Sequence, residues 1–137
     1  MKRGYILKAL NKIIIVFIFI SIIGLFLPWF FFEKSMDYTT GWNFIEFYPS
    51  IFIGIIFSLI FIVFNDISRL LNIITLIWLL VTPISCIYVF FTWHVLTITG
   101  KIDLSVSFST AHYGFYITFI SSCISLFLYL ISFNKRR

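Results

Sequence analysis

Four stretches of the chain contain no Asp, Glu, Lys or Arg: between Lys12 and Glu33, Glu46 and Asp66, Arg69 and Lys101, and Asp103 and Lys135. Each is filled with Ile, Leu, Phe and Val. A helix needs roughly 20 apolar residues to cross the hydrocarbon core of a bilayer, and each stretch offers about that many. The pattern predicts an all-α membrane protein. It is expected to be a four-helix transmembrane bundle in one domain, 1–137, with spans at about 13–31, 49–64, 71–91 and 113–133.

Composition excludes an ordinary water-soluble fold. The chain is 61% hydrophobic and 11% charged, against about 25% charged residues in soluble domains. A fold of 137 residues cannot hide that much apolar surface from water. Lipid acting as solvent for the outer faces removes the difficulty, so the bilayer is the first expected partner.

The net charge of +5 does not point to nucleic acid. Lys2, Arg3, Lys8 and Lys12 lie at one end, and Lys135, Arg136 and Arg137 at the other. Together with Arg69 in the 65–70 turn they outnumber Lys34 and Lys101 in the other two loops. The positive-inside rule then predicts a cell-membrane, multi-pass protein with both termini cytoplasmic. No small-x-small cleavage site follows Leu27-Pro28-Trp29, so the first helix is expected to remain uncleaved.

Local signals mark the element ends. Gly24 and Pro28 interrupt the outer half of span 1, and Pro28 should kink or end it. Pro49 suits the first turn of span 2. Pro83 falls inside span 3. In the second outer loop Ile102, Leu104, Val106 and Phe108 alternate with polar residues, the period-two pattern of a half-buried strand. Val95-Leu96-Thr97-Ile98 is β-prone and Thr99-Gly100 supplies a turn. The first loop adds Tyr38-Thr39-Thr40 and Trp42-Asn43-Phe44-Ile45. A small extracytoplasmic β-hairpin or sheet built from the 33–48 and 94–112 loops is therefore expected, because unpaired backbone near lipid is costly.

Candidate functional residues fall into three groups. Thr75, Thr82, Ser85 and Thr92 share one face of span 3, and Thr118, Ser121, Ser125 and Ser132 one face of span 4. Span 2 adds the small-xxx-small pair Gly54 and Ser58. Such faces form either helix–helix seams or a polar pathway, with the seam favoured. Trp29, Trp42, Trp93 and Tyr113 head an aromatic concentration at the outer boundary, read as an interfacial belt. His94 and His112 bracket the second outer loop as a weak metal or proton-sensing pair. Cys86 and Cys123 lie inside spans without a CxxC pattern and read as small buried hydrophobes.

Chemistry-bearing motifs are otherwise missing. No span carries an ionisable residue at its middle, which disfavours proton-coupled transport. Small four-helix multidrug exporters carry a Glu in the first helix, where this chain has Ser21 and Gly24. The overall plan resembles claudin-like tetraspan proteins in architecture: four helices, both ends inside, and outer loops with strand character. The claudin first-loop pattern of a Trp, a Gly-Leu-Trp and two cysteines is absent.

The expected function is that of a non-enzymatic multipass protein working through contacts. It would be a subunit of a membrane complex, an interaction partner or a homo-oligomer, without a cofactor. An immunity-type protein against membrane-active peptides is a specific version. A permease or channel using the span 3 and span 4 hydroxyls is the alternative. An intramembrane redox or metal enzyme built on Cys86, Cys123, His94 and His112 comes last.

Overall fold

The computed structural model describes residues 2–32, 37–64, 68–95 and 99–136. Helix α1 (Lys2–Phe26) leads into strand β1 (Pro28–Phe32), followed by β2 (Asp37–Thr40) and a short helix α2 (Gly41–Ile45). Helices α3 (Ser50–Val63) and α4 (Arg69–Thr92) come next. The chain ends with α5 (Leu104–Thr110) and α6 (Tyr113–Arg136).

Helices α1, α3, α4 and α6 form a four-helix bundle. Ser21 meets Ser121, Ser50 meets Ser85, and Asn72 meets Tyr129. These pairings make neighbouring helices antiparallel. The start of α1, the end of α3, the start of α4 and the end of α6 therefore share one end of the bundle. The small elements β1, β2, α2 and α5 gather at the opposite end as a cap.

Three of the helices, over Tyr5–Phe26, Arg69–Thr92 and Tyr113–Asn134, are long and apolar enough to cross a membrane. Helix α3 is as apolar but has 14 residues, about 21 Å at 1.5 Å per residue. That falls short of a hydrocarbon core of about 30 Å.

The first span differs from its expected bounds of 13–31. Its helix begins far earlier, at Lys2, and stops at Phe26. Pro28 cannot continue it, and residues 28–32 turn into strand instead. The carbonyl of Gly24, freed at this helix end, accepts the indole N–H of Trp29 at 2.9 Å. Helix α4, by contrast, runs through Pro83 without a break.

The sheet is also built differently from expectation. It has two antiparallel strands, β1 and β2, with Phe30, Phe31 and Phe32 opposite Thr39, Tyr38 and Asp37 and a bulge between Pro28 and Phe30. Tyr38-Thr39-Thr40 is strand as expected, but its partner is the end of the first apolar stretch rather than the 94–112 loop. Among the described residues that loop contributes a single bridge, Ala111 to Phe30.

Trp42–Ile45 is helical, and so is the segment whose alternation suggested a strand. The reason is local hydrogen bonding. The Asp103 carboxylate accepts from the amide of Ser105 at 2.9 Å and from its hydroxyl at 2.7 Å, an N-cap that starts α5. The Ser109 and Thr110 hydroxyls both donate to the Val106 carbonyl. Alternation over four apolar residues did not outweigh a cap. Thr99 and Gly100 do turn the chain, their amides bonding to the His94 and Val95 carbonyls, and Gly100 takes φ +67°. The β-prone 96–98 segment lies outside the described residues.

Candidate functional site

Two polar centres stand out in an otherwise apolar molecule: a histidine node under the cap and a hydroxyl layer between the helices.

The node forms where α4 ends. His94 is 0% exposed. Its Nε2 accepts the amide N–H of Asp103 at 3.0 Å, which places the proton of the neutral ring on Nδ1. Nδ1 faces the Ser107 hydroxyl at 3.3 Å, and Ser107 donates to the Phe90 carbonyl at 2.7 Å. The chain of bonds runs from the loop through His94 to α5 and back to α4.

A serine beside an imidazole is the pairing of a nucleophile and its base, but here both are committed. Ser107 is fully buried and its proton is held by a backbone carbonyl. The base nitrogen of His94 is occupied by an amide. The Asp103 carboxylate bonds Ser105 and leaves the imidazole alone. That bonding, with Lys101 nearby, holds the carboxyl below the usual carboxylate range.

His112 has different surroundings. Its amide donates to the Trp29 carbonyl at 2.7 Å, and its ring packs edge-on to Tyr38 at 5.0 Å. Among the described residues no group of three or more His, Cys, Asp or Glu side chains could hold a metal ion. Cys86 and Cys123 are free thiols, the first buried and the second half-buried.

The aromatic residues divide. Trp42 and Tyr113 are about half exposed, as a boundary position requires. Trp29 and Trp93 are not at a boundary: they are 0% and 4% exposed. Phe30 stacks on Trp93 at 4.5 Å and approaches Phe44 and Phe115 at 5.6 and 5.5 Å. Trp29 packs edge-on to Phe115 at 5.5 Å. These rings are the core of the cap. Period and position along the chain matched a belt, and only the fold of β1 back over the bundle turned them inward.

The hydroxyl faces are seams. On α4, Ser85 donates to Ser50 at 2.9 Å, the Thr92 hydroxyl lies 3.3 Å from that of Tyr48, and Thr82 lies against Gly54. All three face α3 and the segment before it. Thr75 is fully buried and donates to the Leu71 carbonyl.

On α6, Thr118 lies against Gly24 and reaches the Ser21 carbonyl at 3.4 Å. The Ser121 and Ser21 hydroxyls are 2.7 Å apart. These face α1. Ser125 donates to the Ser121 carbonyl of its own helix at 2.9 Å. Ser85 and Thr92 thus serve one interface and Thr118 and Ser121 another, while Thr82 and Ser125 border the same central gap.

Ser58, named with Gly54 as a packing pair, is buried. Sequence reading missed other polar residues of the interior: Ser21, Ser122 and Ser107 are all buried, as is Tyr129, whose hydroxyl donates to the Asn72 side-chain oxygen at 3.1 Å. Ser122 adjoins Ser121, and Ser58 lies four residues after Gly54, so spacing carried a signal for both. Ser107 carried none, since the strand reading placed it on the wet side.

The chain matches no protein-family model, no curated protein and no solved structure.

Proposed function

We propose that this chain is a non-enzymatic multipass protein of the cell membrane. It acts through contacts, as a small subunit or interaction partner of a membrane complex. It crosses the bilayer four times with both termini cytoplasmic. The observation that carries the reading is the inversion of polarity across the bundle. Val16, Phe19 and Ile23 of α1, Ile53 and Ile60 of α3, Ile77 and Ile84 of α4, and Ile120 and Phe127 of α6 are exposed. Ser21, Ser58, Thr75, Thr82, Thr118, Ser121 and Ser125 of the same helices are buried. Hydrocarbon solvent favours that arrangement, whereas a soluble monomer seldom exposes large apolar patches.

Charge supports the sidedness. Lys8, Lys12 and Arg69 belong to the same end of the bundle as the close of α6, while Lys101 belongs to the cap. Helix α3 completes the fourth crossing with its flanking residues and a locally thinned bilayer. At the capped end Phe47, Ile102, Leu104 and Phe108 are exposed and offer an apolar contact surface for a partner. The permease reading has weaker support, because Ser85 and Thr92 bond toward α3 and the segment before it while Thr118 and Ser121 bond toward α1.

Crosslinking in intact membranes followed by detergent extraction tests the contact role. A discrete complex larger than the monomer is expected, and recovery as a lone monomer would overturn it. A cysteine placed beside Arg137 tests the topology separately. It should react with an impermeant thiol reagent only after the cells are opened.

A further inference from the structure

Helices α1, α3, α4 and α6 do not close completely at the centre of the bundle. They leave a cavity of about 10 Å³, counted as space for the centre of a water molecule, and that is close to the minimum one water needs. Its wall is mixed. Ile18, Ile55 and Leu79 contribute apolar surface, and Ser21, Ser58, Thr82, Ser122 and Ser125 contribute hydroxyls from all four helices.

Three of the hydroxyls in this layer have backbone carbonyls within reach. Ser21 donates to the Phe17 carbonyl at 3.1 Å, Ser122 to the Phe119 carbonyl at 2.8 Å, and Ser125 to the Ser121 carbonyl at 2.9 Å. Each of these oxygens keeps a lone pair as an acceptor. Ser58 differs from these three. It is 1% exposed, and its Oγ has no hydrogen-bond partner among the described residues. A buried hydroxyl in this condition is rare in a native fold and points to a bound water.

We propose that one water molecule is bound at this point. It accepts the Ser58 proton and donates its own two hydrogens to hydroxyl oxygens of α4 and α6. The buried Ser58 donor and the hydroxyl oxygens around it border a space of one-water size. Most of the wall surface is apolar, and the case for a water rests on the buried Ser58 hydroxyl, which an empty cavity would leave unpaired. The water would tie α3 to α4 and α6 at a depth where side chains alone leave a gap. The assignment concerns the inside of the bundle and does not depend on the number of crossings or on a partner.

Solid-state NMR of the full chain in liposomes, with magnetisation transferred from water to labelled serine, tests it. The wild-type chain should show transfer to Ser58, and Ser58→Leu, which fills the space, should abolish transfer to Ser122 and Ser125. Absence of transfer to Ser58 in the wild type would overturn the site. Stability supplies a second readout in case Ser58→Leu does not fold. If a water is bound, Ser58→Ala removes its donor and should lower the unfolding midpoint by a few degrees. If the cavity is dry, the same substitution deletes an unpaired hydroxyl and raises the midpoint, the opposite result.

Discussion

At residue scale the most constrained positions are those where backbones approach. A Cβ on Gly24 would collide with Thr118 Oγ1, and its next neighbours, the Thr118 amide nitrogen and the Gly114 carbonyl, lie 3.0 and 3.2 Å away. Gly24→Ala gains about 1 kcal/mol of helix propensity and incurs about 1–3 kcal/mol of overpacking. Net destabilisation is expected in detergent melts. Thr118→Ala removes the closest obstructing atom, so the double variant should lose less than the two single losses added together.

A second residue-scale outcome concerns pH. The Asp103 carboxyl is held below its usual value by the Ser105 hydroxyl and amide, helped by Lys101. A depressed value means that the ionised form supports the fold. The α5 cap should therefore be intact above about pH 4, the ordinary carboxylate range, and be lost as pH falls below it through the folded-state value. Amide protection over 104–110, corrected for intrinsic exchange, checks this. Asp103→Asn should remove the dependence.

At element scale, α5 shows how a seven-residue helix can be held by partners rather than by propensity. Isolated helices of this length are marginal. This one depends on the Asp103 cap, on the His94 ring between the Asp103 amide and Ser107, and on the bond from Ser107 to the Phe90 carbonyl of α4. His94→Ala strands the Asp103 amide and an acceptor on Ser107. A loss of about 1–3 kcal/mol local to the cap is expected. Hydrogen exchange over 99–110 should accelerate at least tenfold, while the amides of α1 and α6 stay unchanged. Uniform acceleration across the bundle would show that the node supports the whole fold instead. The ending of α1 was legible from Pro28. The conversion of Trp29–Phe32 into a strand was not, because strand formation there depends on β2 and the Ala111 bridge.

At the scale of the whole molecule, α3 sets the unusual dimension. Its 14 residues give about 21 Å of helix, beside neighbours of 24 and 25 residues. Mismatch of this kind costs fractions of a kcal/mol per Å. In the four-crossing reading the chain should unfold at a higher temperature in short-chain than in long-chain phosphatidylcholine. Differential scanning on matched proteoliposomes measures it. Equal midpoints would mean that α3 does not span.

The uncharged stretches, the inward hydroxyl faces at Thr82, Ser85, Thr118, Ser121 and Ser125, and the stop at Pro28 were all determined by the sequence. Each follows from solvation or from covalent geometry, which act on a segment by itself. Burial of Trp29 and Trp93, the helix at 104–110, the turning of Ser85 and Thr92 toward α3 but of Thr118 and Ser121 toward α1, and the lack of a partner for Ser58 among the described residues were decided only by tertiary structure. Those depend on which distant atom sits within hydrogen-bond reach or van der Waals contact, and periodicity along a chain carries no record of that distance.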